Sequence, residues 1–185
     1  MGRVLVPLAQ GCEELEAVTI IDLLRRAGIE VVTAALDDIN ITASRGVKLI
    51  ADELLDNVID QEFDMIVLPG GLPGADHLDN DNRIQQLLKD MHQAGKVTAA
   101  ICAAPKVLAN NGLLAGRVAT SYPGFIDNMD LPDTKVIEQA VVIDGTVITS
   151  RGPGTAMDFA LELISQLEGA AKRDAVEKGL MRPTH

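Results

Sequence analysis

Short apolar runs that do not alternate with polar residues recur along this chain, and most are followed by a helical pattern. The strand-like runs are residues 4–8, 29–35, 63–68 and 97–101. A strand that is apolar on both faces must be covered on both faces. Strand–helix alternation supplies that cover by building a mostly parallel sheet with helices on either side. Helical patterns at 13–26, 82–93 and 155–167 occupy the intervals, another begins at 105–110, and a helical tail follows Gly169. Gly28 and Gly95 close the first two. On the first helix, Leu15, Val18, Ile21 and Leu24 fall on one face, the expected buried one. Residues 141–143 and 147–149, joined by Asp144-Gly145-Thr146, predict a hairpin. No repeat, low-complexity stretch or linker interrupts the pattern, and the chain reads as one α/β domain over 1–185.

Composition removes several function classes. Lys and Arg number 16 against 27 Asp and Glu, a net charge of −11. A phosphate-binding surface needs clustered cations. Phe63, Phe125, Phe159 and Tyr122 are the only aromatics, too few for a base-stacking platform. Nucleic-acid binding is therefore not expected. Cys12 and Cys102 cannot make a disulfide framework. His77, His92 and His185 match no zinc spacing, so no metal is expected. No apolar run reaches the length of a membrane span. The first residues read as a buried strand and not as a signal peptide, and Val6 stands where a myristoylation signal wants Ser or Thr. The expectation is a reduced, cytoplasmic protein.

In a parallel sheet, sites form beyond the carboxyl ends of the strands, near a topological switch point. The run 97–101 ends at Cys102, followed by Ala103, Ala104 and Pro105. Small residues allow a sharp turn, and proline suits a first helical turn. This is the layout of a nucleophile elbow with cysteine in place of serine. A helix N-terminus there would favour the thiolate. Strand–Cys–helix junctions also occur in inert cores. Pro69-Gly70-Gly71 follows another strand and reads either as a tight turn or as a backbone donor to an oxyanion. Gly11 to Glu16 follows the first strand. Glu13 and Glu14 are accounted for by the helix dipole. Glu16 can turn inward, where it would stay protonated and donate to sulfur. Cys12 is assigned no role.

These loops, with Leu23 to Gly28, Ser44-Arg45-Gly46-Val47 and Thr149 to Thr155, resemble the ThiJ/PfpI superfamily along nearly the whole chain. The nearer likeness is to the small-protein branch that includes the human parkinsonism-associated deglycase. The resemblance implies a flavodoxin-like three-layer sandwich and a homodimer. It implies that Cys102 is the reactive cysteine, Glu16 its protonated partner, and Gly71 and Ala103 the amides around an oxyanion, with Gly70 beside them. It also puts Arg45 close to the dimer-side pocket, matches Arg26 to a family arginine, and puts Pro153 beside the site or in the neighbouring subunit's. One position departs from the branch: Tyr122 stands before Pro123 where a histidine is usual. A phenol titrating near 10 is a poor base at neutral pH, so a Cys–His peptidase is disfavoured. His77 is the only histidine near a predicted site loop.

Two functions follow from the resemblance. One is cofactor-independent, cysteine-dependent detoxification of reactive carbonyls, of the glyoxalase III or protein deglycase type. Its substrates would be a small dicarbonyl such as methylglyoxal or an early glycation adduct. The other is an oxidative-stress sensor or chaperone acting through oxidation of Cys102 to a sulfinate.

Overall fold

The computed structural model describes residues 2–183, so Met1, Thr184 and His185 lie outside the described residues. The first half runs β1 (Arg3–Leu8), α1 (Glu14–Arg26), β2 (Glu30–Ala35), β3 (Asn40–Thr42), β4 (Lys48–Ile50), β5 (Glu53–Leu54), α2 (Leu55–Val58) and β6 (Met65–Leu68). Then come α3 (Gly74–Asn80), α4 (Asn82–Gln93), β7 (Val97–Ile101), α5 (Pro105–Asn110), β8 (Val118–Ala119) and β9 (Lys135–Val136). The chain finishes with β10 (Val141–Asp144), β11 (Val147–Ser150), α6 (Ala156–Glu168) and α7 (Ala170–Gly179).

Seven strands form the central sheet in the order β10-β11-β7-β6-β1-β2-β5. All its pairings are parallel except that of β10 with β11, the expected hairpin. Successive side chains of a strand point to opposite faces, so each strand feeds two cores. Val4, Val6 and Val67 join Ile20, Leu24, Phe159 and Ile164 on the α1–α6 face. Leu5, Ile66 and Leu68 join Leu55, Ile84, Leu88 and Leu108 on the other. This is the helix–sheet–helix sandwich that the unbroken apolar strands require.

The buried face of α1 differs from the expected one. Ala17, Ile20, Leu23 and Leu24 are buried, whereas Leu15 and Val18 are about half exposed. Two apolar stripes fit the helical period here, and the one that carries Glu16 inward is the one that packs. The outward stripe is the surplus apolar face. The segment 40–50, which has no strong strand pattern, forms the small antiparallel pair β3–β4.

The sheet reverses its winding between β1 and β6, since β2 lies on one side of β1 and β6 on the other. That crevice, at the carboxyl ends of the strands, is where an α/β sheet accepts ligands. The β1–α1, β6–α3 and β7–α5 connections all open there.

Candidate active site

Cys102 follows β7 directly, and its φ of 65° places it in the left-handed region. That conformation costs a non-glycine residue about 1–3 kcal/mol and persists only where the surroundings enforce it. Two bonds enforce it here. Its N–H donates to the Ser150 carbonyl at 3.0 Å, and its carbonyl accepts from the Tyr122 N–H at 2.9 Å. Ala103 and Ala104 are buried behind it and Pro105 opens α5. The strained strand–turn–helix elbow expected from the sequence is present.

Glu16 arrives from the first turn of α1. Glu13 caps that helix by accepting from the Glu16 N–H at 2.8 Å. The Glu16 side chain is fully buried, and its Oε2 accepts from the Gly70 N–H at 2.9 Å. Oε1 has no partner of full hydrogen-bond geometry among the described residues; the Cys102 thiol is the group with which the carboxyl interacts. Gly70 is required by space. A Cβ there would lie 2.6 Å from Cys102 Cβ and 2.9 Å from Glu16 Oε2. The backbone N–H groups of Gly71 and Ala103 are the neighbours that favour the thiolate of Cys102. Cys102, Glu16, Gly70, Gly71 and Ala103 are thus brought together.

Electrostatics change one expectation. Burial raises Glu16 from 4.5 to about 7, with Gly70 and the thiol pulling it back and Glu13 adding to the rise. Burial, followed by the charge of Glu16, pushes the Cys102 thiol up to about 12, against the two amides. The sequence led us to expect a lowered thiol. The six residues of α5 provide only a short dipole, and loss of water outweighs it. The two groups titrate as a pair. An anionic Glu16 keeps the thiol neutral, and a proton on Glu16 removes that repulsion.

The other candidates are placed as follows. Tyr122 is half-exposed, its N–H holds the elbow, and its ring lies over Gly152, where a Cβ would meet Cδ2 at 3.2 Å. Pro153 begins the short turn after Gly152, beside that ring. Arg45 is exposed and is tied to the site through its backbone: its N–H donates to Glu14 Oε1 at 2.8 Å. Glu14 does more than complement a dipole. It is buried and also accepts from the Ser44 hydroxyl at 3.0 Å. Burial opposes its charge, but these bonds and that from its own N–H hold it below the usual carboxylate range. Arg26 pairs with Asp22 in the last turn of α1, about 15 Å along the helix from Glu16. His77 is exposed and lines a cavity of about 250 Å³ with Asp37, Asp38 and Asp81, which includes neither Cys102 nor Glu16. Cys12 is buried, and burial and then Glu14 push its thiol to about 12.

Lys106 escaped the sequence reading. It pairs with Asp76 of α3 and lies 5.9 Å from the Phe125 ring centroid, tying α5 to α3 and to the loop that carries Phe125. Its place one residue beyond Pro105 was the available signal. Among the described residues, no group of three or more His, Cys, Asp or Glu converges as a metal site requires. No described helix is long and apolar enough to cross a membrane.

Comparison with known proteins identifies relatives of the whole fold. Residues 2–166 match the model of the DJ-1/PfpI family. Protein DJ-1 homolog A of Arabidopsis thaliana is 43% identical over 180 residues, covering 96% of this chain and 46% of the relative, so the chain spans about half its length. Protein dj-1beta of Drosophila melanogaster is 43% identical over 178 residues, 96% of this chain and 95% of the relative. Its crystal structure superposes with a TM-score of 0.93, covering 99% of both chains. Glutathione-independent glyoxalase DJR-1.2 of Caenorhabditis elegans is 37% identical over 171 residues, 92% of this chain and 91% of the relative.

Proposed function

This chain belongs to the DJ-1/PfpI family, and from that membership we propose that it is a cysteine-dependent enzyme that detoxifies reactive carbonyls, with methylglyoxal or an early glycation adduct as substrate. The observation that carries the reading is the buried Glu16, raised to about 7 and set against the Cys102 thiol, with Oε1 making no hydrogen bond of full geometry among the described residues. A carboxyl titrating near neutrality serves equally as base and as acid.

The reaction is as follows. Glu16 takes the thiol proton as sulfur bonds to the aldehyde carbon, and the carbonyl electron pair moves to oxygen. The Gly71 and Ala103 N–H groups hold that oxyanion until Glu16 returns the proton, giving a hemithioacetal. Glu16 then removes the hydrogen of the former aldehyde carbon and delivers it to the adjacent carbon. The product is a thioester of a 2-hydroxy acid. Water releases the acid and restores the thiol, so substrate plus water balances the product with no external oxidant. The name of the Caenorhabditis elegans relative, a glutathione-independent glyoxalase, supports this chemistry. A Cys–His peptidase protonates the leaving amine through its imidazolium, and Tyr122 stands where the branch carries that histidine.

A second reading rests on the same carboxyl. After attack by peroxide, a protonated Glu16 can donate to a sulfinate on Cys102, which makes the pair an oxidation sensor. We also infer a homodimer, supported by family membership and by half-exposed Leu15, Val18, Val47 and Leu72.

Lactate release from methylglyoxal tests the enzymatic reading. Cys102→Ser and Glu16→Gln should each lose most turnover, and His77→Ala should keep it. For the unmodified protein, kcat/KM should rise with pH through about 7 as Glu16 loses its proton. Turnover that survives Cys102→Ser overturns the reading. No turnover, with Cys102 still oxidised readily by peroxide, transfers the assignment to the sensor.

A further inference from the structure

Behind the Tyr122 segment lies a second cavity, of about 340 Å³, lined by Thr120, Ser121, Pro123, Val136, Ile137 and Arg151 together with Asp127 and Glu138. Neither Cys102 nor Glu16 lines it. Its volume suits a small ligand.

The polar groups differ in what they leave free. The Ser121 hydroxyl is spent, donating to the Tyr122 carbonyl at 2.9 Å and accepting from the Ile126 N–H at 3.3 Å. Asp127 accepts from the Gly124 N–H at 2.8 Å and caps its own turn. Thr120 is 1% exposed, and its Oγ1 has no hydrogen-bond partner among the described residues. A buried hydroxyl without a partner is costly, and such groups in native proteins call for an explanation. Arg151 is largely buried, yet its ion pair is loose: Nη1 lies 3.4 Å from Oε1 of Glu138, whose side chain is 84% exposed. A guanidinium has five donors in a planar fork, and one long contact to a solvated carboxylate leaves most of that fork unused.

The geometry points to a binding site for a small monocarboxylate with a short apolar body, of the size of a two- to four-carbon acid. One carboxylate oxygen accepts from the Arg151 fork and the other from the Thr120 hydroxyl, while Pro123, Val136 and Ile137 cover the carbon chain. Glu138 holds the place of that carboxylate when the site is empty, and the ligand must displace it. The site touches the reaction centre only through backbone. Ser121 and Pro123 flank Tyr122, whose N–H holds the Cys102 carbonyl, and Arg151 follows Ser150, whose carbonyl holds the Cys102 N–H. The inference does not depend on the carbonyl chemistry proposed above.

The test is titration of sodium propionate into the full chain carrying Cys102→Ser, followed by amide chemical shifts. Saturable shifts are expected at Thr120, Ile137 and Arg151, and none with neutral propionamide. Arg151→Met should abolish binding. Thr120→Val should weaken it about tenfold, the scale of one hydrogen bond to a charged group. The same substitution should leave Tm equal or higher, because it removes an unpartnered hydroxyl, whereas loss of a merely structural contact would lower it. Glu138→Gln should tighten binding by removing the competitor. Equal response to propionamide overturns the proposal, as do shifts confined to Gly71 and Ala103, or affinity unchanged by both Arg151→Met and Thr120→Val. Inorganic phosphate that binds these residues more tightly than propionate overturns the carboxylate assignment. Turnover is not measured, so failure here is distinct from failure of the enzymatic reading.

Discussion

Replacing Glu16 with Gln should reshape the pH dependence of stability. The folded chain holds the Glu16 proton up to about 7, whereas an ordinary carboxyl releases it near 4.5. Between those values the folded state binds more protons than the unfolded state, so this group makes stability fall as pH rises. At 1.36 kcal/mol per pH unit, the interval corresponds to about 3 kcal/mol, lost in full above about pH 7. Glutamine keeps the shape and an oxygen for the Gly70 N–H but carries no charge. The protein is least soluble near its pI of 4.6, so urea unfolding is best compared at pH 5.5 and 8. About 2 kcal/mol of the total falls in that window. Relative to the unmodified protein, Glu16→Gln should gain that amount on moving to pH 8. Repeating the series in Cys102→Ser removes the thiol from the titration and should preserve the sign. A constant difference between the two proteins across this window would refute the assignment of a buried, proton-holding Glu16.

Under limiting peroxide, mass spectrometry should find sulfinate at Cys102 before Cys12, since Cys102 is the more exposed of the two and has two backbone amides that favour its thiolate. Gly70→Ala should abolish turnover and cost about 1–3 kcal/mol, the usual penalty of overpacking; retention of activity would show that the 2.6 Å approach to Cys102 is relieved without moving the nucleophile. Glu14→Gln should lower Tm and accelerate hydrogen exchange at the Arg45 amide before that of β1, because the 44–47 turn loses its anchor. Sedimentation at micromolar concentration should give twice 19.7 kDa, and Leu15→Lys with Val18→Lys should halve it.

The parallel sheet was legible because apolar runs such as 97–101 have no polar face to give water. The elbow was legible because Cys102 sits between an apolar strand and Ala103-Ala104-Pro105, a sequence that suits one kind of turn. The inward course of Glu16 was legible only as an option. Choosing it depends on which stripe of α1 packs, and Leu15 and Val18 satisfy helical periodicity as well as Ala17 and Ile20 do. Glu14 and Lys106 were missed because their partners, Ser44 and Asp76, are each 30 residues away. The direction of the Cys102 shift required knowing how much water the closed site excludes, which no spacing of residues records.

The two ends of the sheet bear on how the chain behaves in a crowd. A sheet edge with a long row of free N–H and C=O groups invites addition of strands from other molecules. Here one edge strand, β5, has two residues and the other, β10, has four. β10 also ends at Asp144, whose carboxylate is occupied by Arg117 and by the Val118 N–H. Neither edge is a template for fibril-like stacking. On the carbonyl-detoxifying role proposed above, the substrates themselves would modify lysine and arginine and so alter the surface charge, and charge is one of the barriers that keep chains apart. Blunt sheet edges provide a barrier that such damage does not erode.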